Sequence, residues 1–516
     1  MLSWMTLLLI ALVGFWPIVY LIRPMRGDRK RTNGVGIKGT LPPGPQGLPI
    51  LGSLLTLGNL PHRTLHRLAN KYGPIMYMQL GLVPTIIVSS PQVAQQFLKK
   101  YDLIFATRPD TKAGHYMSFG RKGISFAPYG HYWRNMHKFC MIELLSNLKI
   151  ESFRSMRREE LVLLVQSLKD ASAACLPANL TIKVASFTTD ITCRMVFGEK
   201  KMNKIIDEQG FKEFVEEVTY LAGAFNIADY IPCIGPLDLQ GLRRRMKTTN
   251  KFFDSLFEKI IDEHLQHSEV RHQRDFVDFM LSFMTSDENQ FQFNRSNIKA
   301  ILLEMLLAAL DTSSTTIDWA LSELIKHPRV MKKAQQELES IVGMERMVEE
   351  SDLENLEYLD MVVKETMRLH PVVPLLLPRE AMEDCTVNSF HIPKKSRIIV
   401  NAWAIGRDPN VWSNPEEFYP ERFAGTSIDV RGHDFELLPF GSGRRGCPGM
   451  QLGLMIVQLV LAQLVHCFDW ELPNGMSPDD MDMTEKFGIV MPRINHLWAA
   501  PTYRLRDDIS AEQMKI

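Results

Sequence analysis

One cysteine of this 516-residue chain sits where a thiolate could do chemistry. Cys447 lies in Phe440-Gly441-Ser442-Gly443-Arg444-Arg445-Gly446-Cys447-Pro448-Gly449, a glycine-relaxed loop that opens directly onto a long apolar helix. A thiolate needs positive potential nearby, which Arg444, Arg445 and the N-terminal end of that helix supply. Gly443, Gly446 and Gly449 let the backbone approach a flat partner closely. The pattern suits a thiolate metal ligand; the competing reading is a small buried cysteine at a helix start. A second stretch is the helical pattern from about Ile298 to Lys326, apolar through Ile301-Leu302-Leu303 and Met305-Leu306-Leu307, then polar at Asp311-Thr312-Ser313-Ser314-Thr315-Thr316. Hydroxyls and a carboxylate inside a buried helix are costly without partners or a task, unless they back-bond to their own carbonyls. Glu365 and Arg368 share one helix face at i,i+3 spacing, by itself an ordinary surface couple.

The cysteine loop resembles the haem-thiolate monooxygenases, the cytochrome P-450 superfamily, whose pattern Phe-x-x-Gly-x-Arg-x-Cys-x-Gly is met by Phe440, Gly443, Arg445, Cys447 and Gly449. The resemblance implies a mainly α fold with smaller β-sheets and haem b, iron-protoporphyrin IX, with Cys447 as its axial ligand. Phe440 and Gly449 belong to the same cofactor loop. Arg445, Arg379 and the indole of Trp133 are implied propionate partners. In the family's Trp-x-x-x-Arg pattern the last position is His137, which replaces a permanent charge with one titrating near neutral pH. The family pattern small-Gly-x-Asp-Thr is met at Ala308, Asp311 and Thr312, with Ala309 in place of glycine. Asp311 and Thr312 are then the proton relay of oxygen activation. Glu-x-x-Arg at Glu365 and Arg368, joined by Arg422 in Pro420-Glu421-Arg422-Phe423, implies a buried network that shapes the fold around the cofactor. Ala308, Val373, Leu376 and Ile489 are implied pocket residues, mostly apolar, for a lipophilic substrate held by shape.

No dinucleotide-binding G-x-G-x-x-G follows a strand, and no phosphate-binding loop is present. Electrons must come from elsewhere. The resemblance implies NADPH, used indirectly through a membrane-bound NADPH-cytochrome reductase docking on a basic face near Arg134 and Lys138. Details such as Asn401-Ala402-Trp403-Ala404-Ile405-Gly406-Arg407-Asp408-Pro409 are similar to the plant microsomal group of specialised metabolism. They lead us to expect hydroxylation, with O2, of a lipophilic metabolite, a terpenoid before a phenylpropanoid or flavonoid. Two other readings stay open: an isomerase or dehydratase of the same family working without O2, and a non-catalytic haem sensor or membrane scaffold.

The elements that must position these residues are legible in outline. Ile75 to Leu80 and Pro84 to Ser89 read as a hairpin, and helical patterns dominate the middle of the chain. With 45% hydrophobic and 23% charged residues and no low-complexity tract, one large unit is expected from residue 41 to 516. Zero formal net charge argues against nucleic acid. Seven cysteines without a C-x-x-C pair fit a reducing compartment. Residues 1–22 carry no charged side chain and are long enough for a transmembrane helix. Arg23, Arg26, Arg29, Lys30 and Arg31 follow in a basic linker, 23–40, which places the body in the cytosol. A proline-rich hinge, 41–49, begins the body. Together these imply a single-pass protein of the endoplasmic reticulum bilayer.

Overall fold

The computed structural model describes residues 39–198, 208–266, 274–285 and 293–506. The expected anchor, 1–22, and the basic residues of the linker lie outside the described residues. From Thr40 onward the chain forms one compact unit, mainly helical with small sheets.

Its spine is the helix Arg295–Lys326, 32 residues and so ~48 Å long. It begins three residues before the apolar pattern does, because Asn294 and Asn297 form a reciprocal cap: the Asn294 side chain accepts from Ser296 N at 3.1 Å, and Asn297 Oδ1 accepts from Asn294 N at 2.8 Å. It stops at His327 because Pro328 opens the next helix, Pro328–Ile341, at a position where the missing N–H costs nothing. The long helix packs against Leu180–Phe197 on one side and Met450–Cys467 on the other. Arg295–Lys326 and Met450–Cys467 are both apolar enough to cross a membrane, yet both are mostly buried as core helices.

A four-stranded sheet stands beside this helical body. Ile75–Leu80 pairs antiparallel with Val83–Val88, in register Ile75 to Val88, and the second strand begins one residue earlier than its sequence pattern. Val83–Val88 pairs parallel with Arg397–Val400, which in turn pairs antiparallel with Arg379–Glu380. The short edge strand thereby fixes Arg379 within the wall of the cavity described below.

Glu365 and Arg368, on the helix Glu357–Leu369, are fully buried. Arg368 Nε and Nη2 donate to the two Glu365 oxygens at 2.7 and 2.8 Å, and Arg422 Nε donates to Glu365 Oε1 at 2.9 Å. Arg368 Nη1 also donates to Gly406 O and Pro415 O at 2.6 and 2.7 Å. The network thus ties one helix to the irregular chain that leads into the cysteine loop. Truncating Glu365 to Ala strands a buried guanidinium and should cost about 3–5 kcal/mol, measured by urea or thermal unfolding. Wild-type stability in Glu365→Ala would contradict this reading.

Candidate functional site

The cysteine loop is held by Asp102, a residue with no motif of its own. Asp102 accepts from Arg379 Nη1 at 2.8 Å, from Arg444 N at 3.1 Å and from Arg444 Nη1 at 2.8 Å. Arg379 Nη2 donates to Ser442 O at 2.5 Å. Gly443 has φ 71°, and a Cβ there would come within 2.4 Å of Leu98 O and 2.7 Å of Asp102 Oδ1, so only glycine fits. Cys447 N–H donates to Phe440 O at 2.9 Å. Burial pushes the Cys447 thiol up, while a hydrogen bond from the Gly449 N–H pulls it back. Gly449 caps the helix Met450–Cys467, and the sulfur opens onto a cavity of about 350 Å3.

Ala308, Ala309 and Thr312 of the long helix line the same cavity, together with Phe440, Val373, Leu376 and Ile489. Thr312 Oγ1 donates to Ala308 O at 2.7 Å. Ser314 and Thr316 bond back to Leu310 O and Thr312 O in the same way, so these three hydroxyls are satisfied along their own helix. Asp311 departs from the expectation of a relay side by side with Thr312. One residue is a turn of about 100° on a helix, and the Asp311 carboxyl instead hydrogen-bonds Thr219 on the neighbouring helix Glu208–Gly223; burial raises its pKa. Thr219 itself lines the cavity.

Arg108, Arg379 and Arg445 are buried along one stretch of the wall. Burial and mutual repulsion lower Arg108 well below the usual guanidinium range and bring Arg445 down to about 9. Arg445 donates to Ala106 O, Ile124 O and Ala127 O at 2.7, 2.9 and 2.6 Å and lies 4.3 Å over the Trp133 ring. The indole N–H, expected to be offered to the cofactor, is committed to Ile124 O at 2.9 Å. Trp133 therefore serves as a platform for Arg445. His137, 4.8 Å from the Trp133 ring, lines the cavity, and burial with the nearby Arg445 charge holds it below its usual pKa. Arg108 carries no motif in the sequence, and only the fold brings it to Arg379 and Arg445.

The far wall, at Ile489 and Val490, hangs on a pinned loop. His62 Nε2 lies 2.8 Å from Glu485 Oε1, Arg63 Nε also donates to that oxygen, Met491 N donates to Val372 O at 2.9 Å, and Trp319 Nε1 donates to Met491 O at 2.9 Å.

Residues 42–499 match the cytochrome P450 family, and the chain belongs to it. It is a cytochrome P450 oxidoreductase, a monooxygenase. Among its relatives, cytochrome P450 CYP736A12 of Panax ginseng is 57% identical over 96% of this chain and 99% of that protein. Premnaspirodiene oxygenase of Hyoscyamus muticus is 40% identical over 96% and 98%. Desmethyl-deoxy-podophyllotoxin synthase of Sinopodophyllum hexandrum is 42% identical over 90% and 92%. A solved zebra fish cytochrome P450 with progesterone superposes with a TM-score of 0.74 at 26% identity, covering 86% of this chain and 99% of that one.

Burial pushes Glu485 up, but its bonds to His62 and Arg63 win and hold it down at about 2. A depressed carboxyl stabilises the fold fully above the ordinary value of 4.5 and loses that contribution as pH falls toward 2. Glu485→Gln should therefore be less stable at neutral pH and decline less steeply between these two values in pH-dependent unfolding. Parallel curves for variant and wild type would contradict the assignment.

Proposed function

We propose that this enzyme is a membrane-anchored haem-thiolate monooxygenase that hydroxylates a lipophilic plant specialised metabolite. The observation that carries the reading is that Cys447 lines one cavity together with Ala308, Ala309 and Thr312 of the long helix.

The residues present fit haem b. A sulfur with an N–H aimed at it and a helix N-terminus behind it suits axial ligation by Cys447. Gly449, where a Cβ would meet nothing within 4 Å, leaves room for a flat group beside the sulfur, and Phe440 lines the same cavity. Three buried guanidinium groups share one wall with the carboxyls of Asp102 and Glu304, the second of which burial pushes up, and two propionates would supply the further negative charge; Arg108 joins Arg379 and Arg445 in that role. Once bound, haem supplies oxygen activation, with thiolate donation favouring O–O cleavage. The chain supplies the protons. Thr312 donates its own proton to Ala308 O, so its Oγ1 offers an acceptor at the cavity that can hold a proton-bearing group there, and Asp311 reaches the cavity through the Thr219 hydroxyl rather than directly. The Glu365, Arg368 and Arg422 network holds the cysteine loop in place.

Electrons enter through an NADPH-cytochrome reductase. Arg134, Lys138 and Arg444 are exposed around the cysteine side of the molecule and suit an acidic partner. Residues 1–22 anchor the chain in the endoplasmic reticulum membrane, 23–40 form the basic linker, and the body begins at the hinge 41–49. Leu48, Ile50, Leu55, Leu82, Phe225 and Leu237 are exposed on neighbouring segments, with Leu82 N bonded to Tyr230 O at 2.8 Å, and such an apolar edge suits a body resting on the bilayer.

Val373, Leu376, Ile489 and Val490 favour a bulky apolar substrate, and we infer a terpenoid; a relative whose name specifies a diene as its substrate fits the same pocket chemistry. The decisive experiment supplies terpenoid and phenolic panels to the full-length protein with reductase. Terpenoid hydroxylation is expected, and Thr312→Ala should cut product per NADPH about 10-fold while peroxide rises. Turnover of phenolics alone would overturn the substrate class. Reductase-free turnover unchanged by Thr312→Ala would overturn oxygen activation in favour of rearrangement.

A further inference from the structure

The loop from Ser118 to Ala127 forms the side of the cavity through Ile124 and Phe126. Its backbone is polarised. Its carbonyls face cations: Arg108 Nε donates to Ser125 O at 3.1 Å, Arg121 Nε to Phe126 O at 3.1 Å, and Arg445 to Ile124 O and Ala127 O. Its amides face the carboxyl group of Glu304, buried on the long helix, which burial pushes up and these hydrogen bonds pull back. Glu304 Oε2 accepts from Ser125 N at 2.9 Å, and the carboxylate also accepts from Ile124 N. Oε1 accepts from the fully buried Ser118 hydroxyl at 2.8 Å, and Ser118 Oγ accepts from Gly123 N at 2.8 Å. Gly123 lies so close that a Cβ there would sit 2.2 Å from the Glu304 carboxylate. Two turns earlier on the same helix, Asn297 Nδ2 donates to the Tyr132 hydroxyl at 2.7 Å, which donates to Lys122 O at 2.6 Å.

A buried carboxylate that already accepts several hydrogen bonds has little left for chemistry, and its bonds are stronger for being shielded from water. Its bonds tie the long helix to the loop that carries Ile124 and Phe126, and Glu304 itself lines the cavity beside them. The geometry points to Glu304 as a positioning residue for specificity: it braces the 118–127 wall and thereby fixes how bulky a ligand the cavity accepts. This rests on the reading of the cavity as a haem and substrate site.

The test uses the full-length holoprotein and two azole probes read by their Soret shift. Imidazole is too small to reach the wall, whereas the triphenylmethyl group of clotrimazole needs it. Glu304→Gln keeps the shape but turns one acceptor into a donor facing donors. The clotrimazole Kd should change at least 10-fold, imidazole should stay within 2-fold, and the amides of 123–125 should exchange hydrogen faster. Glu304→Asp, which keeps the charge, should recover part of the difference. Unchanged exchange with unchanged Kd for both probes would overturn the proposal. So would equal weakening of both probes, which places the damage at the cofactor rather than at the wall. If Glu304→Gln does not fold, Ser118→Ala removes one partner and leaves the carboxylate in place; about 3-fold selective change for clotrimazole is then expected, and none overturns the brace. A wild type without haem would defeat the proposed function, and exchange at 123–125 would still decide the role of Glu304.

Discussion

Three guanidinium groups crowded into one buried wall are the constraint around which this molecule is arranged. Like charges in low dielectric repel strongly, and each of Arg108, Arg379 and Arg445 has its pKa lowered by burial. The chain keeps them there by surrounding them with backbone carbonyls from residues 106, 124, 125, 127, 377, 378 and 442 and with the carboxylate of Asp102. Supplying those carbonyls forces four loops, distant in sequence, to converge at one place. That convergence borders a cavity lined by the three arginines, by Cys447 and by Ala308 and Thr312 of the long helix.

Holding loops together in this way requires rigid supports. The long helix provides one: Asn297 and Glu304 brace the 118–127 segment, while Ala308 and Thr312 form the groove. The buried Glu365, Arg368 and Arg422 network provides another by fixing the chain before the cysteine loop. Such networks stabilise little in net terms but are costly to break, which makes them suited to specifying one arrangement.

Much of this was legible in the residues. The cysteine loop, the long helix, the 75–88 hairpin and the pair Glu365 and Arg368 all carry local patterns, and local patterns can be read from one chain. The contacts that organise the wall cannot. Asp102 meets Arg379 across 277 positions and Arg444 across 342, and Glu304 meets Ser118 across 186, with no periodicity linking them. Adjacency in sequence is not the same contact in space: Asp311 and Thr312 are neighbours, but the first hydrogen-bonds Thr219 and the second lines the cavity directly. Trp133 is a donor by type, yet the loop carbonyl at Ile124 takes its N–H.

The carbon monoxide difference spectrum of the dithionite-reduced, full-length protein in microsomes is the most direct measurement of whether the Cys447 sulfur holds iron. Thiolate ligation gives a strongly red-shifted carbonyl band in wild type that Cys447→Ala abolishes. A band typical of histidine or neutral thiol ligation, or no bound haem, would contradict the site as described.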